Sequence, residues 1–237
     1  MNPVLLWITG WALAGLQAAA QKAPEYTQTY AIYIRGEFAG SEKVTEAADE
    51  QGNLVSVSEH EVQMLDGLEL KRLAFTTSMM LAKGGVVPVD YRLQYTSGTS
   101  GDYYEVKVQG TSIRRILSRG GKVSEVEQQA GPDTVIFDFN VYHHYDYLIR
   151  RYDFRKKGRQ LFRNFVPVVG GEIPLVLTYL DDGELDYGRG KMPVRNFRIE
   201  LVGVFTGALS VDRDNRLVRL VVREKDLEVL RQDIAPQ

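Results

Sequence analysis

This sequence predicts a mainly β fold, a curved antiparallel sheet (half-barrel or open barrel) wrapped around one long α-helix. Three observations predict it. Tyr104, Val106 and Val108 alternate with Glu105, Lys107 and Gln109, the period-2 mark of a strand with one buried face. Turn-forming clusters recur between such segments at hairpin spacing. A single stretch, Asn140 to Lys157, switches to helical period.

The elements follow in order. Residues 1–20 open with an apolar run, Val4 to Leu16, and end in Ala18-Ala19-Ala20, the pattern of a secretory signal peptide cut before Gln21. The run gives out at Gln17, short of the roughly 20 apolar residues that a membrane span needs. Retention as an anchor is the alternative to cleavage. Residues 21–29 read as a polar lead-in, 30–232 as one β-rich domain and 233–237 as a tail. Tyr91, Leu93 and Tyr95 alternate with Arg92 and Gln94, and Phe197, Ile199 and Leu201 with Asn196, Arg198 and Glu200. Turns are expected at Glu50–Asn53, Asp66-Gly67, Ser97–Gly101, Gly120-Gly121, Gly170-Gly171, Asp182-Gly183 and Asp212–Asn215.

Within the helical stretch, predicted over 140–157, Val141, Tyr145, Leu148 and Tyr152 share one face, widened by Tyr142 and Ile149. Asp138 or Asn140 can cap its start, and the basic run ending at Gly158 supplies its stop. One helix in an otherwise β chain must bury its stripe against a concave sheet.

Composition narrows the function classes. With 29 basic and 31 acidic residues the net charge is −2, which offers no field to attract nucleic acid. The densest basic run, Arg150 to Arg159, reads as cations at a helix C-terminus. There is no cysteine, so disulfides and an acylated N-terminal cysteine are both excluded. Export without cysteine suits a bacterial periplasm or exterior.

The candidate chemistry resolves into structural readings. His143 and His144 are adjacent, so on a helix they diverge by about 100° and cannot meet one metal ion. His143 is expected to face solvent beside Arg150, and His144 to flank the stripe near Arg151. Ser100 lacks the glycine two residues later that a nucleophile elbow needs, and reads as a hairpin tip. Asp181–Asp186 and Asp212–Asn215 miss calcium-loop spacing and read as turns. His60 stands in a strand, Leu54 to Met64, with no relay visible in the sequence. No catalytic residue, metal ligand or cofactor is assigned. The 13 Tyr and nine Phe can fill a core or line an apolar cavity with polar tips.

Asn140 to Asp153, Phe162 to Pro167 and the closing hairpin Leu209 to Val218 carry a resemblance over most of the chain after residue 20. The layout resembles the half-barrel domains of lipoprotein carriers, and more closely exported bacterial β-rich domains of unknown function. The resemblance implies a sheet holding a helix in its concave face, and for carriers an acyl-chain ligand. The expected function is a non-catalytic exported envelope protein that binds a lipid, a lipidated protein or another hydrophobic molecule between sheet and helix. Tyr142, Tyr145, Leu148, Ile149 and Tyr152 would line the helix side of that site. The alternatives are a structural or assembly factor of the envelope with a packed core and a protein partner, and, third, a hydrolase.

Overall fold

The computed structural model describes residues 25–235 except 67–68, 97–100, 132 and 189, and the side chains of 64–70 also lie outside the described set. The expected leader at 1–20, the glycine of the Asp66-Gly67 turn and the hairpin tip at Ser100 therefore lie outside the described residues.

Eight strands form an antiparallel meander. They are β1 (Tyr26–Ile34), β2 (Glu37–Ala48), β3 (Leu54–Asp66), β4 (Glu69–Leu81), β5 (Pro88–Tyr95), β6 (Tyr103–Gln109), β7 (Ser112–Arg119) and β8 (Lys122–Gln129). The chain then passes through β9 (Val135–Ile136), α1 (His144–Arg150), β10 (Arg159–Phe162), β11 (Asn164–Val166) and β12 (Gly171–Glu172). It returns along β13 (Leu175–Asp186), β14 (Lys191–Leu201), β15 (Phe205–Val211), β16 (Leu217–Val222) and β17 (Leu227–Arg231). Because β17 pairs with β1, both runs join in one 14-stranded sheet that ends at β8 on one side and β10 on the other. The sheet is not closed. β9, β11 and β12 make a separate three-stranded sheet.

Curvature follows from contacts. The Tyr152 ring lies 5.2 Å from Phe197 of β14, and His144 lies 5.2 Å from Tyr91 of β5. Those strands stand eight places apart in the sheet order, about 38 Å at ~4.8 Å per strand if the sheet were flat. Eight helical residues span only about 12 Å. The sheet must therefore bend around α1, and the helical segment supplies residues to both large core clusters.

Of the alternating residues named above, Tyr91, Leu93, Tyr104, Val106, Phe197, Ile199 and Leu201 are buried as expected, and Tyr95 and Val108 are half-buried. β1 starts at Tyr26, inside the stretch read as lead-in, and Ile234 of the tail packs on Val194 and Val218. Asp182-Gly183 is not a turn. It lies within β13, where Gly183 pairs with Val194 after an irregularity at Tyr179/Asp181.

The helix is a larger correction. α1 has seven residues, His144–Arg150, in place of the long helix expected over 140–157. Its last turn tightens, with Arg151 and Tyr152 donating backbone N–H bonds to Leu148 and Ile149 three residues back. Asp153 then takes the chain out of the helix. Its carboxylate accepts the Arg155 N–H at 3.0 Å, while Gln160 bonds the Asp153 backbone on both sides. At the other end Asp138 accepts the Asn140 N–H at 3.3 Å instead of capping α1.

One glycine is fixed by close approach. Ile32 pairs with Gly40 but Tyr33 pairs with Phe38, so β2 bulges at Ala39, and a Cβ on Gly40 would overlap the Glu61 carbonyl oxygen of β3. Gly40→Ala should cost about 3 kcal/mol, read as a lower urea midpoint with an unchanged slope.

Candidate functional site

Most of the side chains that β2 and β3 turn toward α1 are polar. Along β2, Glu42, Val44 and Glu46 are buried, and along β3 so are Ser56, Ser58 and His60. From the helical segment come His143, Asp146 and Tyr147, and from the start of β16 come Arg216 and Leu217. Together they form one continuous hydrogen-bonded chain through the core.

At its centre, Glu42 Oε1 meets His143 Nδ1 in a short contact and His60 Nε2 at 3.3 Å, while Oε2 accepts the Tyr142 N–H at 2.7 Å. Burial alone would raise the Glu42 carboxyl. The two imidazoles outweigh it and hold the group well below the usual carboxylate range. His60 continues to Ser58 at 3.0 Å, and Ser58 to Thr77 at 2.6 Å. His60 also stacks on Phe75 at 4.2 Å. In the other direction, His143 Nε2 lies 3.2 Å from Ser56 Oγ, which also bonds Tyr147. The Tyr147 hydroxyl donates to Glu46 at 2.8 Å.

The chain ends on Arg216. Its guanidinium donates to both Glu46 oxygens, at 2.9 and 2.7 Å, and to Asp146 at 3.1 Å, and it lies 3.9 Å over the Tyr26 ring. Asp146 Oδ1 accepts the Leu217 N–H at 2.7 Å. Burial pushes Asp146 up to about 6, against the pull of Arg216 and that N–H. Burial would also raise Glu46, but its bonds from Arg216 bring it below the ordinary value.

A second cluster surrounds Asp138. Its Oδ2 accepts the hydroxyls of Tyr91 at 3.0 Å and Tyr104 at 2.6 Å, and burial raises its affinity for a proton against those bonds. The Asp138 N–H donates to His144 Nδ1 at 3.2 Å, so the ring is deprotonated there. Burial, with His143 nearby, drives the His144 pKa well down, which keeps the ring neutral.

These placements correct the sequence reading of the histidines. His143 does not face solvent and His144 does not merely flank the stripe, because both are buried. Every residue of α1 from His144 to Ile149 is buried, so its polar side chains need internal partners, and β2 supplies several of them. His60, read as isolated, is part of the same chain.

Tyr142, Tyr145, Leu148, Ile149 and Tyr152 all lie in the larger core cluster, none more than 6 % exposed. Tyr145 packs edge-on against Phe137 at 4.9 Å, and the Tyr152 hydroxyl bonds the Gly158 carbonyl at 2.7 Å. Leu148 borders a cleft of about 10 Å³ that is also lined by Met79, Leu81, Ile136, Phe137 and Tyr147. That is room for about one water.

Ser56, His143 and Glu42 are connected in the order of a serine nucleophile, its base and the carboxylate that orients the base. Ser56 is only 1 % exposed and does not line the cleft beside Leu148. A substrate carbonyl has no place beside it, so the arrangement holds the helix to the sheet. Among the described residues, no group of three or more His, Cys, Asp or Glu side chains could hold a metal ion. No described helix is long and apolar enough to cross a membrane.

No family model and no curated protein matches the chain. Among solved structures, it is similar to a β-barrel-like protein, a domain of unknown function (DUF1849) from Brucella abortus. The TM-score is 0.57 at 10 % identity, over 88 % of this chain and 96 % of that one. A DUF1089 family protein from Pseudomonas aeruginosa matches at a TM-score of 0.35 and 13 % identity, over 92 % and 95 % of the two chains, too remote to bear on the fold. The first of these matches carries the uncharacterised-domain part of the resemblance and not the lipoprotein-carrier part. The chain shares its fold with a β-barrel-like domain, built here as a sheet left open between β8 and β10.

Proposed function

We propose that this chain is an exported, non-catalytic assembly factor of the bacterial cell envelope that works through protein contacts and holds no small ligand. The observation that supports this reading is the packed interior. A polar chain from Arg216 to Thr77 ties α1 to the sheet, and the cleft beside Leu148 has a volume of only about 10 Å³. Storage of an acyl chain between α1 and the sheet in this state would need a cavity of several hundred Å³ there. Export rests on the pattern of residues 1–20, and, given export, a chain without cysteine suits a bacterial envelope.

A second reading keeps the hydrophobic ligand, a lipid or a lipidated protein, between α1 and the sheet. Its support is that the cleft beside Leu148 is mainly apolar and touches the predicted helix face. Admission of a ligand would require the helical segment to lift from β4 and β9.

Native mass spectrometry with lipid extraction, on protein taken from the host's envelope fraction, separates the two. The assembly reading expects a clean protein mass and a partner recovered by crosslinking. A discrete bound mass lost on denaturation would overturn it in favour of the ligand. The same intact mass reports whether residues 1–20 have been removed.

A further inference from the structure

The two ends of the large sheet differ in chemistry. Among the described residues β8 pairs with no strand on its outer side, and seven of its eight residues are exposed, including Val123 at 66 % and Val126 at 51 %. It has no proline or bulge, and its one lysine sits at its first residue, so it lacks the usual protection of an open edge. Its charge is acidic, from Glu125 and Glu127, with Glu125 also held by Arg114 of β7 at 2.6 and 2.7 Å on an exposed face. At the opposite end, β10 also has no partner strand on one side among the described residues and leaves Leu161 62 % exposed. Its surroundings are basic, because the run Arg155, Lys156, Lys157 and Arg159 leads into it and all four residues are exposed.

We infer that β8 docks against β10 of a second copy of this chain, extending the sheet head to tail. An antiparallel register that sets Arg159 opposite Glu125 places Leu161 opposite Val123, Gln160 opposite Ser124 and Phe162 opposite Lys122. Each copy would then bring one acidic and one basic edge, and the two most exposed apolar side chains of those edges would cover each other. Cross-strand pairs of this kind are the unit that stabilises a sheet. Pairing of β8 with β8 is disfavoured in the antiparallel register that sets Val126 opposite Val126, since it brings Glu125 of each copy opposite Glu127 of the other. The contact is heterologous, so it forms rings or open chains and not closed two-fold dimers. It also gives the basic run a role beyond ending the helix. The inference goes beyond the assembly reading and stands or falls separately from it.

The test is analytical ultracentrifugation of the purified protein over a range of concentrations, with three variants. The wild-type mass should rise above the monomer with concentration. Glu125→Lys and Arg159→Glu should each weaken association by about tenfold or more, since like charges meet across the new ladder. The double variant, which swaps the pair, should recover it. Both side chains are exposed, and unchanged circular dichroism would confirm intact folding. A wild type that stays monomeric throughout overturns the inference. So does association indifferent to either single change, or a double variant no better than the singles.

Discussion

Glu42→Ala should lower the melting temperature by about 10 °C, near 4 kcal/mol at neutral pH. The carboxylate is the one acid shared by His60, His143 and the Tyr142 N–H, and among the described residues none of the three bonds to another. Removing it leaves three polar groups facing a cavity under α1. Glu42→Gln keeps the volume and one acceptor, so its loss should be smaller. The pH dependence has a definite sign. Glu42 titrates lower in the folded chain than in the unfolded one, where a glutamate has a pKa near 4.3. Its contribution is therefore fully present above about pH 4.3 and is lost as pH falls below it. Thermal unfolding from pH 7 to pH 3 should show a shallower acid decline for Glu42→Gln than for wild type. A shift under about 2 °C for Glu42→Ala at pH 7 would show that the cluster does not hold the helix.

The sheet class, the hairpin meander and the inward face of the helical segment were legible because they rest on short-range period. Tyr91, Tyr104 and Phe197 are buried where alternation puts them. Tyr152 is buried on the predicted face even though it lies past the end of α1. The polar chain was not legible, and β3 shows why. Val55 and Val57 alternate with Ser56, Ser58 and His60, so period 2 assigns the valines to the core. The structure inverts this, with the serines and the histidine buried and the valines only partly covered. The inversion makes sense only with α1 in place, since His143 and Tyr147 need those partners. Glu42 and His143 stand 101 residues apart, and no local pattern couples them. The one available signal was the pair Glu42 and Glu46, which share a face of β2 with Val44 between them. The length of the helix failed for a different reason. Its stripe is periodic to Tyr152, but Asp153 offers the backbone a competing turn, and a side chain that captures N–H groups two residues on outweighs a weak helix preference.

Arg216→Ala should be as damaging as the loss of Glu42, with the opposite response to acid. The guanidinium is the cation held between Glu46 and Asp146, and without it two carboxylates remain buried at the end of α1. Breaking a buried pair from one side costs about 3–5 kcal/mol, because the remaining charge is uncompensated. Burial already raises Asp146 to about 6 in the intact protein, above the unfolded aspartate, so the ionised form works against folding there. That penalty is present above about pH 6 and is relieved as pH falls toward the unfolded value near 3.9. Loss of Arg216 removes the main cause that lowers Glu46, leaving the Tyr147 bond and Arg150, and part of what restrains Asp146, so both carboxyls should titrate higher. The variant should therefore be weakest at pH 7–8 and recover part of its stability near pH 5, while wild type changes less over the same interval. Denaturant unfolding at pH 7.5 and pH 5.0 measures it. Equal losses at the two pH values would mean that Arg216 acts through packing on Tyr26 alone, and that the charges at this end of the chain are not coupled.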